Sequence, residues 1–190
     1  MDVLTKEEFE QKKRRYLEMV REGALFIHPT DTVYGMGCDA TNERAVKALR
    51  EAKIQHEQPF SVIAPSKEWI AERCKLGAAA KGWLAKLPGQ YTLILRLKDR
   101  KAVAPSVNLG KVTLGVRIPA HWFSAVVGEL GVPVVTTSAN VHGQEFMTSL
   151  ADLAPALKAE MAFALYEGEK SGRPSTLVDL SSPRERITKR

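Results

Sequence analysis

The sequence predicts an α/β protein whose strands form a mixed, mainly buried sheet. Three observations carry this. Short apolar, β-branched runs end at Pro or Gly, as buried strands do. Between them lie stretches with helical spacing and N-terminal capping residues. In the middle of the chain two β-rich runs, residues 91–97 and 112–118, follow each other with no helix between them, so some strands pair outside a βαβ alternation. With 190 residues, 44% of them apolar, the chain is long enough to bury a substantial core.

Thr5-x-x-Glu8 is a capping box, and Phe9, Tyr16, Leu17 and Val20 then share one helical face up to Gly23. Residues 24–40, ALFIHPTDTVYGMGCDA, begin as a buried strand and meet Pro29, a polar Thr30-Asp31-Thr32 corner, Tyr34, and glycines at 35 and 37. That corner reads either as a ligand site off the end of a strand or as an ordinary turn whose glycines adopt the left-handed conformation. Asn42 caps a second helix with Ala45, Val46 and Leu49 inward, to about Ala52. A short strand at 60–64 stops at Pro65, and helical stretches follow from Ser66 or Lys67 and over 78–87. Pro88-Gly89 breaks the chain before the two β-rich runs. Trp122, Val126 and Leu130 space a helix that ends at Gly131; residues 132–137 are a strand running into Ser138-Ala139-Asn140. Ser149 opens a helix with Leu150, Leu153 and Leu157, and 161–166 and 176–180 are the last strands. No repeat or linker divides the chain.

Net charge is +6 and the isoelectric point about 9.4. Part of the excess sits in residues 170–190, where Lys170, Arg173, Arg184, Arg186, Lys189 and Arg190 outnumber Asp179 and Glu185. This bias suits anionic partners, nucleotide phosphates or RNA, or else is a solvated basic tail. Residues 1–21 are charged and lack the apolar stretch of a secretion signal, no run reaches a membrane span, and Cys38 and Cys74 have no ligand spacing. A cytoplasmic protein without a metal–cysteine site or membrane contact is the expectation.

Familiar catalytic motifs fail on context. Gly35-x-Gly37-x-x-Ala40 matches a dinucleotide fingerprint, but its turn does not follow the strand directly and no acidic residue ends the next one. Gly168-Glu-Lys-Ser-Gly172 has the wrong spacing for a phosphate loop. His28, His56, His121 and His142 are scattered. What remains is a set of hydroxyls and amides at strand ends (Thr30 to Thr32, Thr113, Thr136 to Asn140, Ser175-Thr176), with Arg117 ending a strand and Lys53 ending a helix. Such groups hold phosphates and a carboxylate, and suit catalysis by positioning and charge neutralisation.

In this order the residues resemble the YrdC/YciO-like superfamily of L-threonylcarbamoyladenylate synthases. The matching pieces are PTDTVYGMGCDA, Lys53, PGQYTLIL, TLGVRIP, TTSAN and PSTLVDL, spread over nearly the whole chain. The resemblance implies one YrdC-like domain over residues 1–190, with a twisted, largely parallel mixed sheet, flanking helices and a basic concave cavity. It implies synthesis of threonylcarbamoyl-AMP and pyrophosphate from L-threonine, bicarbonate and ATP with Mg²⁺, for tRNA modification by a downstream threonylcarbamoyl transferase complex. Thr32, Thr136, Arg117 and Ser175 would bind threonine, Arg117 pairing its carboxylate. Lys53, Thr113, Ser138 and Asn140 would bind ATP, with Lys53, Ser138 and Asn140 catalytic, and Lys189 or Arg190 would add a nucleotide contact.

The sequence departs from the family pattern after Lys53. Gln55 stands where an Arg is usual, Gln58-Pro59 replaces Lys-Pro, and Ala64 stands near an expected histidine. Losing a charged donor at a triphosphate costs about 1.5–3 kcal/mol, roughly 10- to 150-fold. His56 is a candidate substitute donor. The departure resembles the YciO-like branch, so the alternative reading is a YciO-like protein binding tRNA or double-stranded RNA with weak or no synthase activity.

Overall fold

The computed structural model describes residues 1–141, 143 and 145–189; His142, Gln144 and Arg190 lie outside the described residues. In chain order the strands are β1 (Asp2–Leu4), β2 (Phe26–His28), β3 (Gly35–Gly37), β4 (Ser61–Ile63), β5 (Tyr91–Arg96), β6 (Thr113–Arg117), β7 (Val134–Ser138), β8 (Phe163–Leu165), β9 (Thr176–Asp179) and β10 (Arg186–Thr188). The helices are α1 (Lys6–Gln11), α2 (Lys13–Arg21), α3 (Glu43–Lys53), α4 (Lys67–Arg73), α5 (Ala78–Ala85), α6 (Pro105–Asn108), α7 (Phe123–Leu130) and α8 (Pro155–Glu160). No helix among the described residues is long and apolar enough to cross a membrane.

The strands form one sheet in the order β1-β8-β2-β3-β7-β4-β6-β5-β9-β10. The sheet is mixed, as the sequence predicts. Its parallel share is smaller than expected: β1/β8, β2/β8, β4/β6 and β5/β9 run parallel, and the other five neighbours antiparallel. The predicted first helix divides at Lys12, whose backbone leaves the helical region, although its apolar stripe stays in register across the break. The helix expected from Ser149 becomes a short 3-10 turn at Leu150–Asp152 followed by α8, because Pro155 takes the first position of a new helix. The edge strands β1 and β10 and the short helix α6 were not foreseen.

Side-chain alternation assigns the two faces. Ile27, Val62, Val135, Ala164, Leu93 and Val116 pack into one core beneath α3. Their strand neighbours Phe26, Ile63, Val134, Phe163 and Leu165 pack into a second core with Phe9, Tyr16, Leu17 and Val20 of α1 and α2 and with Phe123, Val126, Val127 and Leu130 of α7.

The two glycines at 35 and 37 are strand residues, not turn residues, and neither has a positive φ. Gly35 is small because the His28 ring of the adjacent strand lies over it, and Gly37 because the Val135 carbonyl, 2.8 Å from where a Cβ would stand, and the same ring leave no room. A Cβ on Gly35 would stand 2.7 Å from the ring, and one on Gly37 would stand 3.1 Å from it. The ring also stacks on Phe123 at 4.8 Å. Full burial pushes the His28 pKa down to about 3.

Arg50, on the inward stripe of α3, holds the segment that follows. Its guanidinium donates to the carbonyls of Ser106 (2.6 Å), Gln55 (2.8 Å), Gln58 (3.0 Å) and Val107 (3.1 Å), and lies 4.2 Å from the Phe60 ring centroid. One side chain therefore shapes residues 54–60 and ties them to α6.

Two outcomes follow for stability. Arg50→Lys leaves several buried carbonyls without a donor and is expected to cost about 2–4 kcal/mol in urea unfolding. Folded His28 stays neutral down to about pH 3, whereas an unfolded imidazole takes a proton near 6.5. The stability it supports is present above pH 6.5 and falls with acid at up to about 1.4 kcal/mol per pH unit. Urea unfolding of His28→Gln across pH 4–7 should lack that component of the slope.

Candidate active site

One row of small residues runs across the sheet on the face that α1, α2 and α7 cover only in part. Ser61 of β4 lies in register with Gly115 of β6 on one side and Thr136 of β7 on the other. A Cβ on Gly115 would stand 2.5 Å from the Ser61 hydroxyl, and one on Gly35 3.2 Å from that of Thr136. β4 and β7 each keep a large apolar residue two positions along the same face, Ile63 and Val134, for the helix-covered core. The result is a trench that side chains cannot fill, a cavity of about 230 Å³. Thr32, Lys53, Gln55, Gln58, Thr92, Arg117, Ser138, Asn140 and Ser175 also line it. No carboxylate is among the lining residues, so the two cations set its sign.

The polar corner after β2 forms one wall. Thr30 Oγ1 donates to the Val33 carbonyl (2.7 Å) and accepts from the Thr32 amide (3.1 Å). The 2.9 Å contact between the two hydroxyls is therefore donated by Thr32, which leaves Thr32 Oγ1 as an acceptor toward the cavity. Asp31 turns outward from the cavity to Arg117. Its Oδ1 meets Arg117 Nη2 at 2.6 Å and its Oδ2 accepts the Ala120 amide at 2.8 Å, with both side chains of the ion pair 7% exposed.

The opposite wall is the turn after β7. The Lys53 ammonium, at the end of α3, donates to the carbonyls of Ser138 (2.7 Å) and Asn140 (2.8 Å) and to Asn140 Oδ1 (2.6 Å). Ser138 Oγ donates to the same Oδ1 (2.7 Å), which fixes the orientation of the Asn140 amide. All three acceptors are uncharged, so burial dominates and pulls the Lys53 pKa down to about 8. Ser175 closes a third side through a 2.7 Å contact between its hydroxyl and that of Thr92.

Of the sequence-derived candidates, Thr32, Lys53, Arg117, Thr136, Ser138, Asn140 and Ser175 all line this cavity. Thr113 and Lys189 do not. Thr113 shares the trench face but lies two residues before Gly115, about 7 Å along β6. Lys189 follows β10 at the sheet edge, where every strand residue is exposed. His56 is on the surface beside Glu51 rather than in the cavity. Ser61 and Thr92, which line the cavity, were missed, as was Gly115, which lies against Ser61. Their signal is a small or hydroxylated residue facing away from the apolar positions of an otherwise apolar strand. No group of three or more His, Cys, Asp or Glu that could hold a metal occurs among the described residues.

Comparisons with known proteins identify the family and the fold. A family profile for Sua5, YciO and YrdC, described as "Telomere recombination", matches residues 18–190. A threonylcarbamoyl-AMP synthase of Xanthomonas axonopodis is 36% identical over 177 residues, covering 88% of this chain and 92% of that protein. One from Chromobacterium violaceum is 31% identical over 176 residues, covering 90% of each. Sua5 of Pyrococcus abyssi, solved with L-threonine, superposes with a TM-score of 0.86 at 31% identity over 98% of this chain, which spans 56% of that longer one. Escherichia coli YciO, at 20% identity, has the same fold with a TM-score of 0.85. The chain belongs to the Sua5/YciO/YrdC family, among relatives named threonylcarbamoyl-AMP synthases.

Proposed function

We propose that the protein is an L-threonylcarbamoyl-AMP synthase working as one YrdC-like domain. The observation that carries this is that two buried cations, Arg117 and Lys53, line one cavity, where one is suited to a carboxylate and the other to phosphates. The relatives' names and the threonine complex of the Pyrococcus protein support the synthase over the RNA-binding alternative. L-Threonine takes the Arg117 side. Arg117, held by Asp31, pairs its carboxylate; Thr32 Oγ1 accepts from its ammonium or hydroxyl, and Thr136 and Ser175 complete the contacts. ATP places its phosphates at the turn of Ser138 and Asn140, over the Lys53 ammonium.

The chemistry is attack of a threonine carbamate oxygen, formed with bicarbonate, on the α-phosphate of ATP, releasing pyrophosphate. It needs alignment and positive charge more than a proton shuttle, which fits a site with two cations, hydroxyls and no carboxylate. The donor set does not suit a resident divalent ion, so Mg²⁺ enters with the phosphates of its substrate, ATP. Threonylcarbamoyl-AMP then passes to a transferase acting on tRNA in the cytoplasm, a compartment in keeping with the two buried free thiols.

Pyrophosphate release from Mg-ATP and bicarbonate should require L-threonine. Lys53→Gln should lower it roughly 100-fold, as loss of a preorganised charge at a phosphoryl group does, while Gln55→Arg should raise ATP affinity about tenfold by restoring a bidentate donor. Because Lys53 is charged only below about pH 8 in the free protein, ATP affinity measured by titration should fall as pH rises through 8. In Lys53→Gln that fall should vanish. Release independent of threonine would overturn the reading.

A further inference from the structure

Residues 166–175 leave β8 and cross the mouth of the cavity before entering β9. The segment contains Gly168 and Gly172 and forms no helix or strand, so a few separate contacts hold it in place. At its middle, Gly172 lies so close over the Thr32 carbonyl that a Cβ would collide with that backbone. At its end, Pro174 and Ser175 line the cavity.

Its start is fastened at Glu167. Oε1 accepts from His121 Nε2 (2.9 Å) and from the Lys170 ammonium, and Oε2 from Trp122 Nε1 (2.9 Å). The Phe123 amide donates to His121 Nδ1 (3.3 Å), so Nε2 carries the proton that Glu167 receives. Partial burial acts to raise the Glu167 pKa, but bonds from Lys170, Trp122 and His121 outweigh it and hold the group near 2, firmly ionised. The Glu167 amide donates to the Tyr34 hydroxyl (3.0 Å), which donates to the Gly168 carbonyl (2.6 Å). Tyr34 itself lines the cavity. A second fastening, from the Lys170 amide to the Thr148 carbonyl (2.9 Å), follows three residues on.

We propose that Glu167 is a positioning residue for threonine: its carboxylate pins the strap so that Gly172 seats on Thr32 and Ser175 stands in the cavity. This role rests on the synthase reading above and deepens it. Glu167 reaches the substrate only through Tyr34 and the strap, whose Gly172 and Ser175 stand at the threonine contacts, so its loss acts on threonine binding more than on ATP binding.

The test is Glu167→Gln, which keeps size and removes charge. At saturating Mg-ATP the KM for L-threonine should rise about tenfold with kcat within about twofold, the pattern of lost uniform binding, while the KM for ATP holds. Tryptic cleavage after Lys170, the strap's cleavable site since Arg173 precedes proline, should accelerate about tenfold as the strap opens. Trp122→Phe removes one of the three donors and should shift both readouts in the same direction by less; it carries the test should Glu167→Gln not fold. Normal wild-type release with an unchanged threonine KM in the variants would overturn this role alone. No threonine-dependent release from the wild-type chain would overturn the synthase reading and this role with it.

Discussion

The buried ion pair between Asp31 and Arg117 is the constraint on which the site depends. It joins the corner after β2 to the end of β6, two segments that lie far apart in the strand order. Asp31 also takes the Ala120 amide, and its carbonyl accepts from Gln90 Nε2 at 2.7 Å, so one residue ties together three loops. A carboxylate and a guanidinium this far from water persist only with their remaining hydrogen bonds met, and breaking such a pair from one side typically costs 3–5 kcal/mol. The pair is weak evidence for net stability but strong evidence for geometry. It fixes where Arg117 points.

A second constraint is what the sheet leaves out. The trench exists because Gly35, Thr136, Ser61, Gly115 and Thr92 are short, and it is polar because backbone and hydroxyls floor it. Lys53 and Arg117 both enter the trench, Lys53 held by three protein oxygens and Arg117 by the Asp31 carboxylate. A cation so held does not need to reorganise when an anion arrives, which is the condition for electrostatic catalysis in a dry site.

Much of this was legible in the sequence. The capping box at Thr5, the Asn42 and Ser66 caps and the short apolar strands were legible because they rest on local chemistry. The glycines at 35 and 37 were not, since a glycine under an aromatic ring from the next strand looks in sequence like a turn glycine; only the pairing of His28 with Gly35 separates the two. Arg50 escaped notice although it sits with Val46, Leu49 and Lys53 on the inward stripe of α3, because a charged residue on a buried face has no local mark of its partners. The edge strands were invisible for a similar reason. β10 is exposed throughout and has no apolar alternation to betray it.

The placement of β8 bears on how the chain is made. Asp2 pairs with Phe163 and Leu4 with Leu165, while Phe26 pairs with Phe163 and stacks on it at 5.0 Å; Tyr16 lies 4.9 Å from the same ring. The first and last thirds of the polypeptide thus share one core. During synthesis Phe9 and Phe26 can meet Trp122 and Phe123 first, but the Phe163 ring that completes this core leaves the ribosome only after a wait on the order of 10 s. Contacts so distant along the chain also slow the closing step itself. The nascent chain therefore carries this aromatic face incompletely covered until β8 has emerged, so the core on that side of the sheet closes last.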